Sequence, residues 1–368
     1  MANETLKSAK KNKNDEFYTQ LCDIEKELSH YKEHFKGKTV LCNCDDPRVS
    51  NFFRFFALKF NEWGIKRLIT TCYKNQDVDL FSQNTSEKAV WLDYYGNPND
   101  ETCTDFSTVE VKHLKGDGDF RSKECIELLK EADIVVTNPP FSLFREFLAW
   151  IVEAEKQFLI IGNMNAITYK ETFPLIKENK TWLGATGFVT DMVFGVPKGT
   201  VVKDSDKAKA ARLGYVGDYT RLGNSCWFTN IDHGRRHQPL PLMTMSDNLK
   251  FSRHKDIRES GRYERYDNYD AIEVSYTDAI PNDYDGVMGV PISFLDKYCP
   301  EQFEILGMCE NEDLYKLKTK VYTSQECRDA YWEKFGKKGT YDLNASGVVI
   351  RDGLREKVYQ RILIKKQQ

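Results

Sequence analysis

The chain lacks the marks of several protein classes. No apolar run is long enough to cross a bilayer, and residues Met1 to Asn14 are polar and lysine-rich, unlike a secretory leader. There are ten cysteines but no C-x-x-C pair; only Cys42 and Cys44 stand close, and no paired His/Cys spacing accompanies them. A zinc site is therefore not expected, and scattered buried thiols in a reducing cytoplasm are the simpler account. An excess of one charge is also missing: 53 Lys and Arg face 56 Asp and Glu, a net charge of −3. Near-neutrality does not exclude nucleic acid, because phosphate contact depends on local charge. No internal repeat is present.

What is there can fill a core. Of 368 residues, 40% are hydrophobic and 13% aromatic, enough for one large or two medium domains. Short β-branched runs alternate with helical stripes: Thr39 to Cys44, Arg67 to Cys72, Ala89 to Tyr95, Asp133 to Thr137, Phe158 to Gly162 and Cys226 to Thr229 read as strands. This alternation predicts a doubly wound α/β sheet. A helix is expected from about 23 to 34. Ser50 and Ser122 read as helix caps, and Thr168 with Glu171 as a capping box for a helix to about 179, kinked by Pro174. Residues 184–224 show no clear period. From about 233 the character changes to basic residues with interleaved tyrosines. The expected division is a mobile basic arm over 1–14, one domain over 15–232 and a second region over 233–368, with 311–352 as a surface elaboration.

The stretch richest in chemistry is Asn138-Pro139-Pro140-Phe141. It follows the strand run Asp133 to Thr137 and precedes an apolar helical stripe, so it belongs at the C-terminal edge of a sheet, where open α/β folds bind ligands. Two prolines fix two φ angles, remove two donors and extend the preceding residue. What remains is a rigid rim of acceptors, the Asn138 side-chain oxygen and the Pro139 carbonyl. Two fixed acceptors can hold both hydrogens of an exocyclic amino group and free its lone pair to attack an electrophile. Phe141 offers a face for a flat base that has left a duplex. A strand-end turn with a buried Phe is the plain alternative.

Methyl transfer to such an amine needs S-adenosylmethionine, with a charged amino-acid end, a ribose diol and an adenine. Asn43, Asp45, Asp46, Asp119 and Phe120 stand at predicted strand ends or in the loops that follow. For nucleic acid, Lys10, Lys11 and Lys13 of the arm and Arg253, Lys255, Arg262, Arg265 and Tyr266 of the later region supply phosphate and base contacts.

Longer ordered stretches sharpen this. Asp15 to Gln20, Cys42 to Phe53, Gly116 to Arg121, Asp133 to Arg145, Phe158 to Asn163, Tyr266 to Ile272 and Asp283 to Pro291 resemble the EcoRI-type adenine-specific DNA methyltransferases. The resemblance covers most of the chain and is weakest over 185–222 and 310–357. It implies a Rossmann-like S-adenosylmethionine-dependent methyltransferase sheet with a C-terminal target-recognition region, acting on double-stranded DNA as a cytoplasmic monomer without metal. It also implies site residues. Phe17, Tyr18 and Thr19 stand where the family's N-terminal motif touches the methionine part of the cofactor. The turn from Asn43 to Phe52 stands in the cofactor loop, and Asp119 and Phe120 at the cofactor adenine. Asn138 to Phe141 is the catalytic motif, and Trp227 and Phe228 match a late motif near the target base. Two places depart from the wider superfamily. Asp45-Asp46-Pro47 replaces its Gly-x-Gly turn, and Cys72-Tyr73 stands where its ribose-binding acid falls, leaving Asp45 or Asp46 for the diol. Cytosine N4 as the target, protein glutamine as the substrate, and a DNA-binding protein without catalysis remain as alternatives.

Overall fold

The computed structural model describes residues 18–44, 46–73, 88–96, 110–189, 192–196, 200–221 and 224–367. The chain divides into two compact units, the first ending at His233 and the second beginning at Gly234. It is a mixed α/β protein.

The first unit carries strands β1 (Tyr18–Thr19), β2 (Thr39–Asn43), β3 (Arg67–Cys72), β4 (Val90–Tyr94), β5 (Lys112–His113), β6 (Ile134–Thr137), β7 (Gln157–Asn163), β8 (Trp182–Leu183), β9 (Val193–Gly195), β10 (Tyr219–Arg221) and β11 (Ser225–Thr229). Its helices are α1 (Leu21–Leu28), α2 (Asn51–Lys59), α3 (Lys123–Glu131), α4 (Phe144–Glu153), α5 (Phe173–Lys177) and α6 (Asp204–Arg212). Eight strands form one sheet in the order β5-β4-β3-β2-β6-β7-β11-β8. The four central strands, β3, β2, β6 and β7, run parallel. Such strands are covered on both faces, which is why β2 and β6 are buried at every position and rich in Val, Ile and Leu. Antiparallel β4 extends one side; β11 lies antiparallel between β7 and the edge strand β8. A separate small sheet, β1-β9-β10, holds the first described residues.

The helices pack by the expected stripes. Ser50 accepts from the amides of Phe52 and Phe53 and starts α2, whose Phe52, Phe53, Phe55 and Phe56 are buried. Ser122 caps α3 through the Cys125 amide. Helix α4 buries Phe144, Phe147, Leu148 and Ile151, an i, i+3, i+4, i+7 stripe. The Phe144 ring lies so close to β7 that a Cβ on Gly162 would come within 2.4 Å of it. Two expectations are corrected here. The helix from about 23 to 34 ends at Leu28 and tightens into a 3-10 stretch, Ser29–Phe35. No long kinked helix spans 168–179: Met164–Thr168 is a 3-10 turn, and Pro174 sits in the first turn of α5, where its missing N–H costs nothing.

The second unit contains α7 (Met245–Phe251), α8 (Lys255–Ser260), β12 (Ile272–Glu273), β13 (Met288–Pro291), β14 (Phe303–Met308), α9 (Ser324–Phe335), β15 (Val348–Arg351), β16 (Leu354–Lys357) and β17 (Arg361–Lys366). Four of these strands form a sheet in the order β12-β13-β17-β14. A buried ion pair, Arg361 with Glu273 at 2.6 Å, lies in it, and the Tyr266 hydroxyl donates to the same carboxylate. The segment 311–352 is more than a surface elaboration. It has a small core of Tyr322, Cys327, Ala330, Leu343 and Val348, around a helix started by a full capping box of Thr323 and Glu326. No described helix is long and apolar enough to cross a membrane.

Candidate active site

Strand β6 delivers Asn138 to the C-terminal edge of the parallel strands, beside the end of β2. The Thr137 hydroxyl donates to the Asn43 carbonyl and locks the two strand ends together. Beyond Asn138 the double proline turns the chain. The Pro140 carbonyl accepts the Leu143 amide at 2.9 Å and so serves the turn. The Pro139 carbonyl accepts no hydrogen bond among the described residues. Phe141 opens the 3-10 turn Phe141–Leu143 and is half-buried against the core that includes Phe52 and Trp227.

Thr19 reaches this edge from the other end of the sequence. Its backbone pairs with Phe194 of β9, its carbonyl accepts the Asn51 side-chain amide at 2.8 Å, and its hydroxyl lies 3.3 Å from the Asn138 side-chain nitrogen. That last contact spans 119 residues of sequence. Tyr18 precedes it on β1, paired with Gly195. Behind this strand, α1 turns two carboxylates inward. Asp23 accepts from the Val193 amide, and Glu27 accepts from Tyr31, Ala185 and Thr186. Burial raises the Asp23 carboxyl above its ordinary range, against the pull of Lys26.

At the end of β2, Asn43 is 2% exposed, and its side-chain oxygen has no hydrogen-bond partner among the described residues. A buried acceptor without a donor is costly. Cys44, next in the chain, has φ +67°. The turn thus takes the left-handed backbone that glycine supplies elsewhere, and takes it with a side chain in place. Asp46 is buried and bidentate with Arg48, at 2.9 and 2.6 Å, so its carboxylate braces the loop. In the Gly/Asp loop, Asp119 is bidentate with Arg121, which also reaches Glu146 at 2.7 Å. The guanidinium holds the Asp119 carboxyl below the usual carboxylate range. Phe120 was expected to meet the cofactor adenine; it is turned inward instead. Its ring is 4% exposed, packs on Phe147 and Trp150, and carries Arg121 across one face. Trp227 and Phe228 are likewise core residues of β11, not rings at a pocket.

Five expected site residues, Phe17, Asp45, Lys10, Lys11 and Lys13, lie outside the described residues. In the second unit the basic cluster is largely exposed and partnered. Arg253 pairs with Asp278 at 2.7 Å, Lys255 with Glu259 at 3.3 Å and Arg265 with Asp270 at 2.5 Å. Arg262 is exposed and forms no ion pair among the described residues. Exposed pairs of this kind are weak, about 0–1 kcal/mol, and can exchange a carboxylate for a phosphate. Tyr266 is corrected from base contact to core packing: it is 7% exposed, and burial pushes its hydroxyl well above its ordinary pKa. No group of three or more His, Cys, Asp or Glu that could hold a metal occurs among the described residues.

Asn51 and Glu27 were not singled out from sequence. An Asn at the first position of a helix and a Glu on an amphipathic helix both read as ordinary surface residues. The one available signal was the i, i+4 spacing of Asp23 and Glu27 beside the buried Ile24 and Leu28.

Residues 5–367 match the family described as adenine-specific methyltransferase EcoRI. The chain belongs to this family, and it is a methyltransferase enzyme of the adenine-specific kind. Among its relatives, the Type II methyltransferase M.EcoRI of Escherichia coli is 47% identical over 318 residues, 84% of this chain and 91% of that protein. The Type II methyltransferase M.MgeORF184P of Mycoplasma genitalium is 36% identical over 363 residues, 98% of both chains. The Type II methyltransferase M.MpnI of Mycoplasma pneumoniae is 37% identical over 319 residues, 85% of this chain and 89% of that one. No solved structure matches the chain.

Proposed function

We propose that this protein binds duplex DNA, turns one adenine out of the helix and transfers the methyl group of S-adenosylmethionine to its N6. The observation that carries the reading is the position of Asn138. It stands at the C-terminal end of a central parallel strand, one residue past Thr137, whose hydroxyl bonds the Asn43 carbonyl, and in contact with Thr19. The sheet order supports a Rossmann-like methyltransferase fold, with β11 slotted antiparallel between β7 and β8. The strand ends fit the cofactor. The Asn43 oxygen suits its ammonium or a ribose hydroxyl, and the ionised Asp119 suits a donor on its adenine. Thr19 and Tyr18 suit its methionine end, as Phe17, the preceding residue in the sequence, is proposed to. Asp45, which lies outside the described residues, is the proposed diol partner, because the Asp46 carboxylate is held by Arg48. When bound, the cofactor supplies an electrophilic methyl group.

The remaining work falls to the chain. Asn138 and the Pro139 carbonyl accept the two amino hydrogens of the target base and hold the nitrogen lone pair toward the methyl group. Phe141 stacks on the base. Positive charge that builds on nitrogen meets two fixed acceptors, so positioning and electrostatics supply the catalysis. The methylated nitrogen is acidic enough to lose its proton to water. The second unit is the proposed target-recognition region, with Arg253, Lys255, Arg262 and Arg265 on phosphates. Asn138→Ala tests the reading. Methyl transfer should fall by about a hundredfold or more, the cost of removing one preorganised acceptor, while cofactor and DNA binding persist. Near-normal turnover refutes it, and nucleoside analysis of the product distinguishes adenine N6 from cytosine N4.

A further inference from the structure

We propose that Arg145, laid on the ring of Tyr169, holds a DNA phosphate beside the target adenine; this rests on the function just proposed. Strands β6 and β7 are adjacent and parallel, so the chain leaves both at the same edge of the sheet. From β6 it runs through Asn138 and a 3-10 turn into α4, where Arg145 follows Phe144. From β7 it runs through the 3-10 turn Met164–Thr168 to Tyr169. The two exits meet where the Arg145 guanidinium lies 4.1 Å from the centre of the Tyr169 ring.

This guanidinium is placed but not spent. Elsewhere in the first unit Arg48 is bonded to Asp46, Arg67 to Asp93, and Arg121 to Asp119 and Glu146. Arg145 donates no hydrogen bond among the described residues, and the carboxylate nearest to it there, on Glu171, stands at 3.8 Å. Its side chain is 54% exposed. Glu146, the next residue in the chain, is already held by Arg121 at 2.7 Å. Lys170, which follows Tyr169, is exposed and forms no ion pair among the described residues, so it adds a second positive charge to this exit. A guanidinium lying on an aromatic face keeps its N–H fork at the rim, preset for two oxygens of one anion. The substrate brings such an anion. A nucleotide whose base has turned out toward Asn138 stays tied to its backbone, and its phosphates come to the same edge.

The test reads DNA binding with S-adenosylhomocysteine bound, on a duplex carrying the site that the enzyme methylates. Arg145→Gln should weaken binding about tenfold to a hundredfold and reduce the slope of log K against log salt by about one. Arg145→Lys keeps the charge, and should keep the slope while losing part of the affinity. Methylphosphonates, which remove one phosphate charge at a time, then locate the contact. At one of the two phosphates that flank the target adenine, the substitution should cost the wild type about as much as Arg145→Gln does, and should cost Arg145→Gln little further; elsewhere the two losses should add. A wild type indifferent to both flanking methylphosphonates overturns the inference without any variant. So does an unchanged salt slope in Arg145→Gln, additive losses at both flanking phosphates, or a loss of S-adenosylhomocysteine affinity, which would give the guanidinium to the cofactor. Undiminished transfer by Asn138→Ala would instead overturn the function on which it rests.

Discussion

Removing the Glu27 carboxylate should cost the first unit about 3–5 kcal/mol, a large share of a typical folding free energy. Glu27 is fully buried, and four donors converge on it: the Tyr31 hydroxyl at 2.8 Å, the Ala185 amide at 2.6 Å, and the amide and hydroxyl of Thr186. In Glu27→Ala the Ala185 amide keeps the Tyr31 hydroxyl at 3.0 Å, but both Thr186 donors lose their acceptor. Each stranded donor costs roughly 1–3 kcal/mol, and the vacated volume adds to that. Glu27→Gln should cost about half as much, because one oxygen survives while the new NH2 faces a donor. Urea unfolding followed by tryptophan fluorescence is a suitable assay: of six tryptophans, Trp63, Trp91, Trp150, Trp182 and Trp227 precede the boundary at His233. The midpoint should fall with the slope unchanged. A Glu27→Ala midpoint within about 0.5 kcal/mol of the wild type would refute the claim that this carboxylate ties the 184–187 turn to α1.

Three further outcomes are expected. Cys44→Gly should be neutral to stabilising by about 1 kcal/mol, because the left-handed backbone is relieved at the cost of added chain entropy, whereas Cys44→Val should destabilise; thermal unfolding of both variants checks the sign. Asp119 has its folded pKa depressed by Arg121, so its contribution to stability is present above the unfolded value of about 3.9 and is lost as pH falls through the folded value; in Arg121→Gln the carboxyl should titrate at higher pH and the acid-linked loss of stability should shrink, read by carboxyl NMR titration and by unfolding between about pH 2 and 5. Arg361→Met should destabilise the second unit by about 3–5 kcal/mol by leaving the buried Glu273 carboxylate without its counter-charge, and Glu273→Leu added to it should recover part of that, the Tyr266 hydroxyl then losing its acceptor, measured by denaturant unfolding of the single and double variants.

The parts legible in sequence are those whose signals are local. The Ile134–Thr137 strand, its Asn-Pro-Pro-Phe turn and the stripe of α4 each declare themselves within a dozen residues, and so do the caps at Ser50 and Ser122. The parts that escaped depend on distant partners. Strands β1 and β9 are two and three residues long and exist because each completes the other across about 175 residues, so the region after 184 shows no period. Asp23 and Glu27 look like solvent-facing charges until the amides of 185, 186 and 193 are folded onto them. Phe120 and Tyr266 are buried where ligand contact was expected, for one reason: an aromatic beside charged residues has the same local pattern whether its ring faces a ligand or the core. The left-handed turn at Cys44 left no trace, because cysteine gives no sign of a positive φ.

The placement of β17 has a consequence for how the molecule is made. This strand follows every other strand of its sheet in the chain, yet lies between β13 and β14 and bonds to both. Until Arg361–Lys366 has emerged from the ribosome, its two neighbours have no partner between them, and the Glu273 carboxylate on β12 waits without its arginine. The sheets of the first unit are built from β1 to β11 and can condense before β17 is made, since domains commonly fold as units during synthesis. The two halves should therefore mature on different clocks. A ribosome that stalls before Arg361 would leave an early half already folded, joined to a later half with open strand edges, which is the kind of species that aggregates or is cleared by proteases.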